Sequence, residues 1–167
     1  ATLRKEWGRS AELKLLVFFL FQGVVSTVMS LPWLAVLCNP TDSLTALEWV
    51  GLAIVAAGVA GEATADYQLA RFRKTGGSGR VLNTGLWRYS RHPNYFFEWL
   101  TWCGFATFAT ASPWGATAWV SAAMMLGFLL KFTGIPATEN AMKARRGEEY
   151  AAYLRNTSAF LPLPPKR

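Results

Sequence analysis

The sequence predicts an all-α membrane protein, a helical bundle with about four transmembrane helices and further helices at its C-terminal end. Three observations predict this class. Hydrophobic residues make up 52% of the 167 residues and charged residues only 16%, against about 25% charged residues in a typical soluble domain. Long apolar stretches alternate with short polar segments. Lysine and arginine cluster in three regions, before the first apolar stretch, between the second and the third, and from Lys131 onward, as the positive-inside rule for membrane proteins expects.

Four apolar stretches each approach the length of one membrane crossing, which requires about 20 helical residues. They are residues 15–37, 44–70, 95–111 and 114–132. Pro32 lies near the end of the first stretch and is expected to kink that helix. The second stretch carries several small residues, including Gly51 and Gly58, which let a neighbouring helix approach closely.

The C-terminal region is polar and is predicted to form one helix, or a pair of helices, over residues 136–156. The chain has room for one compact membrane domain over residues 1–167. Because it begins with Ala1 rather than methionine, we expect it to be the C-terminal part of a longer protein.

The positive charges predict the topology. Of the 17 lysines and arginines, four precede the first predicted span, six lie between the second and third spans, and seven lie from Lys131 onward. This pattern predicts a multi-pass integral membrane protein, of a bacterial inner membrane or the endoplasmic reticulum, with both termini of this chain cytosolic. The net charge of +7 lies at the edges of apolar stretches, so the expected partner is the bilayer and not nucleic acid. One histidine and two widely spaced cysteines predict no metal site.

A candidate site lies where a basic loop meets the third predicted span. This junction, residues 85–102, reads GLWRYSRHPNYFFEWLTW and contains the only histidine, His92. Asn94, Glu98 and Trp102 follow at intervals of four residues and therefore share a helix face. A carboxylate in a membrane helix is energetically costly and marks a functional candidate. Trp102 is expected either to stack on a flat ring or, the more common use of such a residue, to pack within the membrane.

The basic loop before the junction favours an anionic ligand. Residues 71–91 contain six lysines and arginines, and arginine binds phosphate through paired hydrogen bonds. The same loop contains Gly76-Gly77-Ser78-Gly79, a flexible segment whose backbone amides can approach phosphates. The ordinary alternative is a loop that serves only the positive-inside rule. No nucleophile motif is visible, so we expect a large charged cofactor to supply the chemistry.

Two segments resemble a known family. The sequences GLWRYSRHPNYFFEW and GIPATENAMKARRGEEYAAYLRNTSAFLPLPP are similar to the DUF1295 family. That family belongs with the C-terminal domain of steroid 5-alpha-reductases, and its more distant relatives are isoprenylcysteine carboxyl methyltransferases and phospholipid methyltransferases. The resemblance implies a membrane enzyme whose C-terminal helices enclose NADPH from the cytosolic side and which transfers hydride to the double bond of an enone in a steroid-like or other lipophilic substrate.

The resemblance also implies the residues of a cofactor site. It places Asn94 and Glu98 at the nicotinamide end of the cofactor, and it implies that Glu139 lies near a position that contributes a cofactor-binding histidine in the reductases. The full set of implied cofactor-binding residues is Asp66, Arg73, Arg80, Arg91, His92, Asn94, Tyr95, Glu98, Trp102, Glu139 and Tyr150. Catalytic residues remain unassigned, because the substrate-orienting acid and tyrosine of the reductases lie on N-terminal helices that this chain lacks.

Two alternatives stay open. The methyltransferases bind S-adenosylmethionine with a similar R-H-P-x-Y motif, so the chain is alternatively a methyltransferase acting on a lipid or an isoprenylcysteine. A third possibility is a non-catalytic membrane subunit or lipid-binding module that kept the fold.

Overall fold

The computed structural model describes residues 8–77 and 80–166, and every regular element within these ranges is helical. The all-α class predicted from the sequence is therefore confirmed. The six α-helices are α1 (Ala11–Met29), α2 (Leu31–Leu37), α3 (Ala46–Phe72), α4 (Pro93–Ala109), α5 (Trp119–Gly127) and α6 (Ile135–Asn156). Among the sequence features noted above, Ser78 and Gly79 lie outside the described residues.

Three helical runs are long and apolar enough to cross a membrane. They are Ala11–Met29, Ala46–Gly77 and Gly115–Asn156. The predicted third span corresponds to α4, which has only 17 residues and is about 26 Å long, less than the roughly 30 Å of the hydrocarbon core. The described helices thus support an integral membrane protein, while a fourth span and the cytosolic location of the termini stay predictions.

The first predicted span is divided into two helices near Pro32. Helix α1 ends at Met29, and α2 begins one residue beyond Ser30. Because proline has no N–H, Pro32 cannot donate to the carbonyl oxygen of Val28 four residues earlier. The hydroxyl of the buried Ser121 donates to this oxygen at 2.7 Å. The helix is therefore interrupted where a kink was expected, and the Ser121 hydrogen bond joins this interruption to α5.

Helix α3 starts at a reciprocal capping box. The Thr45 side chain accepts a hydrogen bond from the Glu48 backbone N–H at 3.3 Å, and the Glu48 carboxylate accepts one from the Thr45 backbone N–H. Asn39 donates to the other Glu48 carboxylate oxygen at 3.0 Å. Glu48 is only 2% exposed, but these bonds satisfy its carboxylate, so the start of α3 is fixed against the preceding turn.

Helices α3 and α4 run antiparallel in close contact. A Cβ atom added to Gly51 would lie 2.6 Å from the backbone nitrogen of Phe108, and one added to Gly58 would lie 2.8 Å from the backbone nitrogen of Thr101. Gly104 on α4 approaches α3 in the same way. The predicted role of small residues in the second span is confirmed, since a side chain at these positions would push the helices apart.

Helix α6 consists of two helical segments. Gly147 has φ of 47° and ψ of −124°, a conformation that favours glycine because it has no Cβ. The alternative of a pair of helices over this polar region is therefore confirmed. The second segment carries Tyr150 and Tyr153, and the Tyr153 hydroxyl contacts the loop before α4.

The chain after α6 runs against the loop that precedes α4. We call residues 157–166 the C-terminal strap. The backbone N–H of Arg91 donates to the Ser158 carbonyl oxygen at 2.8 Å, and the buried Ser90 hydroxyl donates to the Phe160 carbonyl oxygen at 2.8 Å. The end of α3, the start of α4, α6 and the strap consequently meet at one end of the bundle.

Candidate functional site

A cavity of about 600 Å³ lies where these segments meet. Its walls come from the end of α3, the loop over residues 81–92, the start of α4 and both segments of α6. Polar segments that are distant in sequence therefore converge on this cavity. The polar and aromatic residues in the wall are Phe72, Arg73, Trp87, Arg91, His92, Asn94, Tyr95, Thr138, Arg145, Arg146, Tyr150 and Tyr153.

Arg91 is a structural clamp within this wall. Its Nε and Nη2 atoms each lie 2.8 Å from Glu139 Oε1. Its Nη1 donates to the carbonyl oxygens of Leu154, at 3.2 Å, and Thr157. The side chains of Arg91 and Glu139 are only 10% and 12% exposed. Because Glu139 neutralises the guanidinium and most of its donors are already used, Arg91 joins the loop before α4 to α6 and the strap instead of offering a free charge.

His92 is buried beside this ion pair. Its Nε2 lies 3.4 Å from Glu139 Oε1. The carboxylate attracts the imidazole, but this distance is too long for a well-formed hydrogen bond. The same oxygen already accepts a hydrogen bond from Arg91. Its ring stacks on Tyr95 with centroids 5.3 Å apart. Burial lowers the pKa of His92 below its ordinary value of 6.5; the nearby Arg91 acts in the same direction and Glu139 opposes them. His92 therefore presents a neutral imidazole to the cavity at pH 7.

Three other arginines give the cavity its positive charge. Arg73 and Arg145 are exposed and Arg146 is half-buried. Within the part of the chain that the structure describes, none of the three has a carboxylate partner within 4 Å. An arginine without a partner at a concave surface attracts anions. The cavity is consequently suited to a ligand with several negative charges.

Arg145 and Arg146 were not predicted as site residues. A signal was present, because Arg146 follows Glu139 by seven residues, two helical turns, and so lies on the same face of α6. The contact between Glu139 and Arg91, which distinguishes this face, cannot be read from the sequence.

Aromatic residues form the inner wall. The Trp87 indole N–H donates to the Ala65 carbonyl oxygen at 3.0 Å, and the Tyr153 hydroxyl donates to the carbonyl oxygens of Trp87 and Ser90. Trp87 and Tyr153 are 8% exposed and Tyr150 is 3% exposed. These anchored rings exclude water and offer flat surfaces to a ring-containing ligand. Trp87 and Tyr153 were also missed as site residues.

The structure brings eight of the eleven predicted residues to the cavity or directly adjacent to it. Arg73, Arg91, His92, Asn94, Tyr95 and Tyr150 line the cavity. Asp66 is exposed next to Asn94 and accepts its hydrogen bond at 3.2 Å. Glu139 lies behind Arg91 and His92.

Arg80, Glu98 and Trp102 are not among the lining residues. Arg80 is exposed beyond the end of α3, and Glu98 lies one turn from Asn94, near Glu62 and Asp66. Trp102 packs edge-on against Trp33, with ring centroids 5.7 Å apart. This packing role was the predicted alternative to stacking on a flat ring of a ligand. Residues spaced by four do share a face, but eight residues separate Asn94 from Trp102 by about 12 Å along the axis.

Metal ligands are not grouped in the described ranges. No set of three or more histidine, cysteine, aspartate or glutamate side chains there is placed to hold a metal ion. The polar groups of the cavity are instead cations, an amide, an imidazole and phenols, which suit an organic anion.

Comparisons with known proteins identify a family. A search of curated proteins and a search of solved structures each found no match. The comparison with protein families matched residues 1–157 to the family described as Protein of unknown function (DUF1295). The match spans nearly all of the chain, including every helix and the whole cavity, and the chain therefore belongs to the DUF1295 family.

Proposed function

We propose that this chain binds NADPH in the cavity and forms the cofactor-binding part of a membrane reductase acting on an enone in a steroid-like or other lipid. The observation that carries the proposal is the set of three arginines, Arg73, Arg145 and Arg146, that line the cavity without a carboxylate partner in the described residues. NADPH carries a pyrophosphate and a 2′-phosphate. Several unpaired guanidinium groups around one cavity match that distribution of charge.

The remaining walls fit the rest of such a ligand. The volume of about 600 Å³ lies within the range of about 300–1,000 Å³ typical of ligand sites. Trp87 and Tyr150 offer flat surfaces for rings, and Asn94 offers an amide for a carboxamide group. The lipophilic substrate would enter from the bilayer, which the apolar faces of α3 and α4 are suited to contact.

When bound, NADPH would supply a hydride to the β-carbon of the enone, the α-carbon would take a proton from water or an acid, and NADP⁺ would leave. The contribution of this chain is positioning. The arginines hold the phosphates, and Trp87, Tyr150 and the buried His92 restrict water around the reacting end.

A second candidate is an S-adenosylmethionine-dependent methyltransferase. One observation favours it: Glu62, Asp66 and Glu98 lie close to each other beside Asn94. Such carboxylates would suit the ammonium and sulfonium charges of S-adenosylmethionine. The methyl group would pass from its sulfur to a nucleophilic oxygen, nitrogen or sulfur of the acceptor and leave S-adenosylhomocysteine. This candidate accounts less well for the three unpaired arginines, because S-adenosylmethionine would present them with a single carboxylate.

The test is a binding titration of the detergent-purified protein with NADPH, NADH and S-adenosylmethionine. Buried Trp87 provides a fluorescence reporter inside the cavity. We expect saturable NADPH binding, and about tenfold to a hundredfold weaker binding in Arg145→Gln/Arg146→Gln, as expected for lost hydrogen bonds to a charged group. Arg155→Gln is the matched control, because Arg155 is also on α6 but is not among the lining residues.

Each contrary result selects another reading. Binding of S-adenosylmethionine without NADPH would replace the reductase by the methyltransferase. Binding of neither by a protein with a cooperative unfolding transition would favour a non-catalytic lipid-binding module. An equal loss in the Arg155 control would show that the arginines act only through overall charge.

A further inference from the structure

The side-chain amide of Asn94 is held in a defined orientation. Its Nδ2 donates to Asp66 Oδ1 at 3.2 Å, joining α4 to α3. The nitrogen and oxygen of an asparagine amide are normally assigned from their hydrogen bonds. In this case the partner decides the assignment, because a carboxylate can only accept hydrogen bonds. The NH₂ group must therefore face Asp66.

This orientation leaves the amide oxygen available. No hydrogen bond to Asn94 Oδ1 is present among the residues that the structure describes. Asn94 lines the cavity, whereas Asp66 does not. A group that enters next to Asn94 consequently meets a hydrogen-bond acceptor whose orientation is set by the exposed Asp66 carboxylate.

We propose that Asp66 is a positioning residue that fixes the Asn94 amide so that its Oδ1 accepts a hydrogen bond from the ligand. The inference rests on the proposed function, and in NADPH the donor is the NH₂ of the nicotinamide carboxamide. Asp66 thus acts through Asn94 and does not touch the cofactor. Its role is to make the site selective for a ring that carries a hydrogen-bond donor, because a site built to pair with a donor rejects an analogue without it.

The test compares two ligands that differ in this donor alone. The probes are NADP⁺ and its 3-acetylpyridine analogue, in which a methyl group replaces the carboxamide NH₂. We expect the wild-type protein to bind NADP⁺ roughly fivefold to tenfold more tightly than the analogue, the value of about one hydrogen bond. In Asp66→Asn the new amide can donate as well as accept, so the Asn94 amide is free to rotate. The ratio of the affinity for NADP⁺ to the affinity for the analogue should then fall close to one.

A reciprocal exchange should restore the preference. In Asp66→Asn/Asn94→Asp the amide at position 66 donates to one oxygen of the new carboxylate, and the second oxygen of that carboxylate faces the ligand as an acceptor. The matched control is Glu62→Gln, the same carboxylate-to-amide change one helical turn earlier on α3, at a residue without a hydrogen bond to Asn94 in the described chain. Its ratio of the two affinities should equal that of the wild type.

The outcomes separate this inference from the proposed function. Absence of NADP⁺ binding to the folded wild-type protein would refute the proposed function. If NADP⁺ binds but Asp66→Asn weakens both ligands equally, Asp66 merely joins two helices and the inference is wrong. A lowered ratio in Glu62→Gln would also overturn it, by showing an effect of acidic charge in general. If Asp66→Asn does not fold, Asp66→Ser gives the same comparison, since serine leaves the Asn94 amide free to turn.

Discussion

Two regions of the molecule are stabilised by different interactions. One is the contact between α3 and α4, and the other is the group of segments around the cavity at the end of the bundle. Along the helix contact, glycines bring backbones together, and neighbouring positions are apolar or small. Around the cavity, a buried ion pair and hydrogen bonds join the loop before α4 to α6 and the strap. Shape is therefore decisive in the first region, whereas complete pairing of polar groups is decisive in the second.

The cavity region contains a further division. Arg91 belongs to the framework because Glu139 and two carbonyl oxygens hold its guanidinium. Arg145 and Arg146 line the same cavity without such partners in the described ranges. Arginines that look equivalent in the sequence are thus expected to affect different properties, stability for Arg91 and ligand affinity for the other two.

The largest effect is expected from breaking the buried ion pair. Arg91→Met leaves the Glu139 carboxylate buried without its cation, and removal of one partner of such a pair costs about 3–5 kcal/mol of unfolding free energy. The measurement is reversible unfolding in mixed detergent micelles. Arg91→Met/Glu139→Met, which removes both charges, should be more stable than Arg91→Met alone. A single variant as stable as the wild type would show that the pair does not hold the cavity together.

An intermediate effect is expected from filling a glycine of the helix contact. In Gly51→Ala the new methyl group would lie 2.6 Å from the Phe108 backbone nitrogen, so the helices must move apart, at a cost of about 1–3 kcal/mol. Gly23→Ala is the control, because a Cβ there meets nothing within 4 Å. The same unfolding assay checks both variants. Equal stabilities would mean that α3 and α4 can separate without penalty.

The smallest effect on stability is expected from the protonation of His92 as the pH is lowered. Burial lowers its pKa below 6.5, so the unfolded chain binds a proton more readily than the folded one. The stability that depends on neutral His92 is fully present above the unfolded pKa and is lost as pH falls from there toward the lower folded pKa. The unfolding temperature should decrease from about pH 8 to pH 5.

Since His92 is the only histidine, His92→Gln should flatten the upper part of this pH profile. An unfolding temperature that rises on acidification of the wild-type protein would contradict the prediction, because it would require a raised pKa for His92.

Much of the helical framework could be predicted because it depends on local patterns. Apolar stretches of membrane length predicted α1, α3 and α5, the polar composition after them predicted α6, and Pro32 predicted a kink where α1 and α2 are separated. The small residues of α3 predicted a close helix contact. The number of spans was harder to predict, because α4 is largely apolar but has only 17 residues.

The site could be predicted only in part because its roles depend on long-range contacts. His92, Asn94 and Tyr95 lie at the cavity as expected. The sequence could not show that Glu139 neutralises Arg91, since the two are 48 positions apart. Nor could periodicity show that Trp102 meets Trp33 in another part of the bundle.

The C-terminal strap sets an order on the biosynthesis of this protein. Ser90 bonds to Phe160, Arg91 to Ser158 and Tyr89 to Leu163. These partners are translated after every helix of the bundle. The membrane helices can therefore insert before the strap has been translated, but the loop before α4 gains these hydrogen bonds only once the strap is present. A premature stop codon shortly before the strap would leave the helices in place and this loop without these bonds.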